Sequence, residues 1–173
     1  MKNIKSGDIQ RNWQLIDAKN KILGRLSTNT AKILMGKSKN YYTPHLDTGD
    51  YVVIINAKDV ILSGKKENQK LYRHHSNYPG GLNERSARQV RAKKPEDLIK
   101  HAVVGMLPKT KLARQMIKKL YIYPGSQHPY GDKKLITEST VEKQKAQNSV
   151  PSEPSRSIER GSPKATVASV ITK

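Results

Sequence analysis

The chain has 173 residues, in which 33 Lys and Arg face 14 Asp and Glu, a formal charge of +19. A polyanion relieves self-repulsion of that size, and nucleic acid fits better than a membrane surface, which wants a basic amphipathic helix with large apolar residues. Phe is absent, Trp13 is the only tryptophan, and with no Cys the chain can form no disulfide, thiolate zinc site or cysteine nucleophile.

An apolar content of 35% predicts one domain with a modest core plus appendages. No apolar run approaches a membrane span. Met1 to Gln10 lacks the apolar stretch of a secretory signal and makes a poor transit peptide. Six basic and four acidic residues lie beyond Lys134, leaving 27 and 10 in residues 1–134, a net of +17. The folded part is therefore expected to carry the charge.

Residues 1–12 read as an extension. Trp13-Gln14-Leu15-Ile16-Asp17 reads as a short strand, with a turn near Asn20. Leu26, Thr30, Ile33 and Leu34 fall at helical spacing after Gly24. Gly36 is the expected C-terminal cap, with Lys37 and Lys39 near the negative end of the dipole. Tyr51 to Asn56 is an unbroken apolar run, as in a strand buried on both faces. Val60 to Leu62 and Leu71 to His74 are further strand candidates. Pro79-Gly80-Gly81 marks a turn, and Glu84 to Lys93 is read as helical. Pro95, Glu96 and Asp97 suit the first turn of a helix whose apolar face is Leu98, Ile99, Ala102, Val103 and Met106. Pro108 ends it, and Thr110 is expected to cap another helix with Leu112, Met116 and Leu120 inward. Tyr121-Ile122-Tyr123 reads as a last strand. From Leu135 to Lys173 the Ser-, Pro- and Glu-rich composition predicts a disordered tail. Mixed strands and helices over 13–134 indicate an α/β domain with helices packed on a small sheet.

Four clusters carry candidate chemistry. Gly36-Lys37-Ser38 resembles the end of a phosphate-binding loop, but Ala31 stands where that loop needs Gly, and the helix precedes rather than follows. His45, Asp47 and Asp50 could serve a metal-dependent nuclease, although a turn in which Asp side chains bond backbone N–H groups explains them better. His74-His75 on a strand would point to opposite faces, which suits shared metal ligation poorly. With Arg73 and Tyr78 nearby, that segment fits RNA: Arg bonds phosphate, while His and Tyr stack on unpaired bases. Gly80 and Gly81 let backbone approach closely. Finally, Lys109, Lys111 and Arg114 gather at a helix N-terminus, and Lys118 and Lys119 continue the basic surface. No catalytic residue, metal site or cofactor is indicated.

These residues also resemble a known family, the L-thirteen proteins of the bacterial-type large ribosomal subunit. The match runs through Trp13–Ala18 with Leu23-Gly24-Arg25-Leu26, then Tyr42–Tyr51 into Ile55-Asn56-Ala57. It continues through Lys70–Gly81, Gly105–Lys109, Leu112-Ala113-Arg114 and His128-Pro129. Asn77 and Ala113 replace usual glycines, and Tyr130 replaces a usual His. Arg85, Arg88 and Arg91 make 82–92 more basic than the family pattern.

The resemblance implies a three-layer α/β/α domain around a small, mainly parallel sheet. It implies large-subunit ribosomal RNA and neighbouring ribosomal proteins as partners, a role in early subunit assembly, and neither catalysis nor homo-oligomer. Location would be the cytoplasmic ribosome of a bacterium, with an organellar ribosome as the alternative. The residues expected to touch RNA are Arg25, Lys37, Lys39, His45, Arg73, His74, His75, Tyr78, Gly80, Gly81, Lys109, Lys111, Arg114 and Lys118. The competing classes are the nuclease and a free RNA-binding regulator.

Overall fold

The computed structural model describes Lys5, Gly7 and residues 9–137. Four strands form one wholly parallel sheet: β1 (Trp13–Asp17), β2 (Tyr51–Ile55), β5 (Leu120–Ile122) and β6 (Leu135–Thr137), in the order β5-β2-β1-β6. Parallel neighbours need crossovers. The one from β1 to β2 contains α1 (Leu23–Met35). The longer one from β2 to β5 contains α2 (Lys66–Gln69), the hairpin β3 (Leu71–His75) and β4 (Leu82–Ser86), α3 (Ala87–Lys93), α4 (Pro95–Met106) and α5 (Lys111–Ile117). The architecture is α/β, as the residue pattern predicts.

Alternation along the strands divides the core. Ile16, Val52 and Ile54 belong to one buried cluster with Leu26 and Leu34 of α1 and Leu98, Ile99 and Val103 of α4. Val52, Val53 and Ile54 are all fully buried, which is why β2 has no polar alternation. The opposite face carries an aromatic layer. Trp13 stacks on Tyr51 at 4.5 Å between centroids, with Tyr130 at 4.9 Å and Tyr121 at 5.8 Å.

α1 has no side-chain N-cap. Its first N–H, on Leu23, donates instead to the Ile61 carbonyl at 2.9 Å, and Ile61 N–H donates to Lys21. Val60 to Leu62 is thus a single bridge, Ile22 to Ile61, rather than the expected strand. Pairing stops there because its partner becomes helical at Leu23. At the other end Gly36 adopts φ 76°, and Lys37 N–H reaches back to Lys32. A Cβ on Gly36 would also collide with Thr48. Glycine is required twice over, for its left-handed backbone and for this close approach.

Other expectations need correction. Glu84 to Ser86 is strand, not helix. Its Leu-Asn-Glu-Arg-Ser sequence has no apolar period, and its conformation comes from pairing with β3. α3 starts after Ser86, where Ser86 and Gln89 cap each other reciprocally at 3.3 and 3.0 Å. Thr110 precedes α5 but makes no capping bond through its side chain. Met106 is exposed, off the buried face of α4. The tail boundary also shifts: Leu135–Thr137, expected in the tail, pairs with Trp13–Leu15 as an edge strand. Three residues are too few to show a period, so only the partner strand defines them. The rest of that segment, 138–173, lies outside the described residues.

Candidate nucleic-acid interface

The 43–50 loop wraps the C-terminus of α1. Asp50 N–H donates to the Ile33 carbonyl, which also accepts from Gly36 N–H, and Thr48 Oγ1 donates to the Met35 carbonyl at the helix end. Gly49 lies so close that a Cβ would strike the Leu34 carbonyl. This packing buries Asp50, which accepts from Asn12 N–H at 2.9 Å and Gln14 Nε2 at 3.0 Å and pairs with Lys39 at 2.5 Å. Asp47 accepts from Lys119 at 2.5 Å and faces Arg11 at 3.9 Å. Lys119 also donates to the Gly49 carbonyl at 2.9 Å. Burial pulls the Lys119 amine below the ordinary lysine range, while the Asp47 hydrogen bond and charge pull it back.

This network disposes of two readings. Asp50 is filled by three donors from the chain itself, and Asp47 is held by Lys119 with Arg11 beside it, so both carboxylates already serve the chain's own cations. Among the described residues no group of three His, Asp or Glu could hold a metal ion. Lys119 is not part of a basic surface but 6% exposed. Lys39, expected to contact RNA, spends its amine on Asp50 and the Gln10 carbonyl. Sequence alone shows a lysine, not the buried anion that captures it.

The outward cations lie elsewhere. In the β3–β4 hairpin Tyr72 opposes Arg85 and His74 opposes Asn83, so these four share one face. Arg73 and His75 take the other, and the two histidines are split between faces as their spacing predicts. Arg73 Nε donates to Glu84 across the strands at 2.6 Å, in the open. In the connecting turn Asn77 and Gly80 have φ 64° and 72°. Asn tolerates that conformation, so the residue that replaces the usual family glycine keeps the turn. A Cβ on Gly81 would collide with Ser76 Oγ and the Tyr78 carbonyl, leaving no room for a side chain. Tyr78 projects from the tip, 75% exposed.

A hollow of about 360 Å³ at the α4–α5 turn is lined by Lys109, Lys111 and Arg114 with Leu107 and Pro108. Lys118 borders a neighbouring hollow of mixed charge with Lys100, Glu96 and Asp97. Arg25 lies at the N-terminal end of α1 and Lys37 beyond its C-terminus, roughly 18 Å apart at the helical rise. His45 is exposed on the 43–50 loop. The expected residues thus form several patches, not one groove. Sequence reading missed Lys93, Lys94 and His101, which share a cavity with Tyr72, His74 and Arg85. The excess of Arg over 82–92 was a usable signal. It was an ambiguous one, because Arg91 is structural, bonded to the Val60 carbonyl at 2.7 Å and to Glu67 at 3.2 Å.

The buried carboxylates of this basic α/β body engage its own lysines and many of its remaining cations stay on the surface, an arrangement that fits a scaffold or binding protein. Residues 11–129 match the family model described as ribosomal protein L13. "Large ribosomal subunit protein uL13" of Dictyoglomus thermophilum is 57% identical over 126 residues, covering 73% of this chain and 89% of the relative. The protein of that name from Rubrobacter xylanophilus is 52% identical over 124 residues, 72% and 87% of the two chains. The one from Thermotoga maritima is 54% identical over 127 residues, 73% and 85%. The chain belongs to the ribosomal protein L13 family. It is a structural constituent of the ribosome, not an enzyme, and its relatives place it with the cytoplasmic ribosomes of bacteria.

Proposed function

We propose that this chain binds large-subunit ribosomal RNA, holds its helices together by neutralising phosphates, and supports early assembly of the subunit beside neighbouring ribosomal proteins. The observation that carries this reading is the state of the outward cations. Lys109, Lys111 and Arg114 are exposed and enter no ion pair among the described residues, and Lys118 is exposed beside a hollow that it shares with Lys100, Glu96 and Asp97. Phosphates would supply the missing anions and release their counterions. Exposed Tyr78, His74 and His75 add surfaces on which unpaired bases can stack. Among the described residues no helix is long and apolar enough to cross a membrane.

Sedimentation of cell lysate tests the assignment. The tagged chain should travel with the large subunit and remain there in moderate salt. A chain found mainly free, or with small subunits, contradicts it. Purified chain should also bind protein-free large-subunit RNA with an affinity that falls steeply as salt rises.

A further inference from the structure

The cavity between the β3–β4 hairpin and the helices α3 and α4 differs from the other basic hollows. Its volume is about 500 Å³, suited to a nucleotide rather than a lone ion. Tyr72 and His101 make an aromatic wall, their rings 5.6 Å apart and tilted by 45°. Arg85 enters from the strand opposite Tyr72, and Lys93 and Lys94 from the α3–α4 junction. Within this cationic ring lies one acid, Asp97. Its carboxylate makes no hydrogen bond and no ion pair among the described residues.

A carboxylate is wrong for a plain phosphate groove, because it repels what the cations attract. It is right for the edge of a base. Ionised Asp only accepts hydrogen bonds. Guanine is the base whose Watson–Crick edge offers two adjacent donors, the ring N1–H and the exocyclic amine, to match two carboxylate oxygens. We propose that this cavity receives one unstacked guanine nucleotide. Its base lies against Tyr72 and His101, its donor edge meets Asp97, and its phosphate meets Arg85, Lys93 and Lys94. The proposal rests on the RNA-binding reading and deepens it, since one such base adds sequence selectivity to a general attraction. The guanine belongs either to an RNA strand or to a free nucleotide.

Asp97→Asn in the full chain separates these cases, and its sign is diagnostic. If Asp97 merely sits on a surface that faces RNA, removing a negative charge leaves affinity for protein-free large-subunit RNA equal or raises it. If it holds a guanine, affinity falls roughly ten-fold. The salt slope stays the same, because no phosphate contact is lost. Kethoxal, which reacts with the same N1 and N2 edge, reads the base directly. One guanine protected by the wild type and reactive with Asp97→Asn assigns the nucleotide to the RNA. Micromolar binding of GMP that Asp97→Asn abolishes, with an unchanged RNA footprint, assigns it to the free nucleotide. Wild-type binding to RNA with no dependence on Asp97 in either assay overturns the pocket alone. Failure of the wild type to bind the RNA at all overturns the proposed function instead.

Discussion

Lys119 and Lys109 flank the same short helix, yet they belong to different halves of the protein's chemistry. Lys119 is 6% exposed and gripped by Asp47 and the Gly49 carbonyl. Lys109 is exposed, with no acidic partner among the described residues. The same contrast separates Lys39 from Arg114. In the sheet body the fold supplies its own anions, and a cation there is part of the architecture. On the α4–α5 turn Lys109, Lys111 and Arg114 enter no ion pair among the described residues, and on the hairpin the one such pair, Arg73 with Glu84, lies in the open. Side-chain type does not decide the role of a basic residue in such a chain. What decides it is whether the fold has already placed a carboxylate beside it.

That division can be broken from either side. The largest effect should come from Gly49→Ala, which drives a Cβ into the Leu34 carbonyl backbone. Backbone cannot yield as a flexible side chain can, so stability should fall by about 3 kcal/mol or more in urea unfolding. An unchanged midpoint would show that the loop is not clamped to α1. Asp47→Ala comes next. It strands a buried ammonium and should cost about 2–3 kcal/mol, below the range for a fully buried pair because 13% of the Asp47 side chain remains exposed. In the fraction that stays folded, RNA affinity should hold. Reduced affinity with full stability would move Asp47 to the binding surface.

The outward cations should behave in the opposite way. Lys109→Ala and Arg114→Ala should each leave unfolding within about 0.5 kcal/mol of the parent. Each should lower RNA affinity and reduce the salt slope by about one unit or slightly less. If both variants keep the parental slope, these residues do not meet phosphate.

The smallest effect tests how the hairpin is tied to the body. Burial raises the Tyr72 phenol above its ordinary 10.0. The folded chain therefore holds that proton more tightly than the unfolded chain. Its contribution to stability is complete below pH 10.0 and disappears as pH climbs through the raised folded value. Tyr72→Phe should flatten part of this alkaline loss in pH-dependent unfolding. Identical alkaline profiles would mean that the ring is not held against α4.

Sequence by itself determined the frame of this protein. α1 and α4 are written in helical apolar periods, and β1 and β2 in short runs rich in apolar residues, β2 unbroken. Gly36 falls where a helix end calls for glycine, and the net charge favours a polyanionic partner. The resemblance of the matched segments was already enough to reach the family. Tertiary structure decided the rest. β4 and β6 have too little apolar pattern to announce themselves and exist because a neighbouring strand offers hydrogen bonds. Lys39 and Lys119 became internal only when the 43–50 loop folded over α1 and brought Asp50 and Asp47 to them. Asp97 was legible as a helix-start residue, while its place among cations from β4 and the α3–α4 junction was not. Periodicity is local and survives in one dimension. Charge pairing and shared cavities depend on residues far apart in the chain, and only the folded backbone sets those distances.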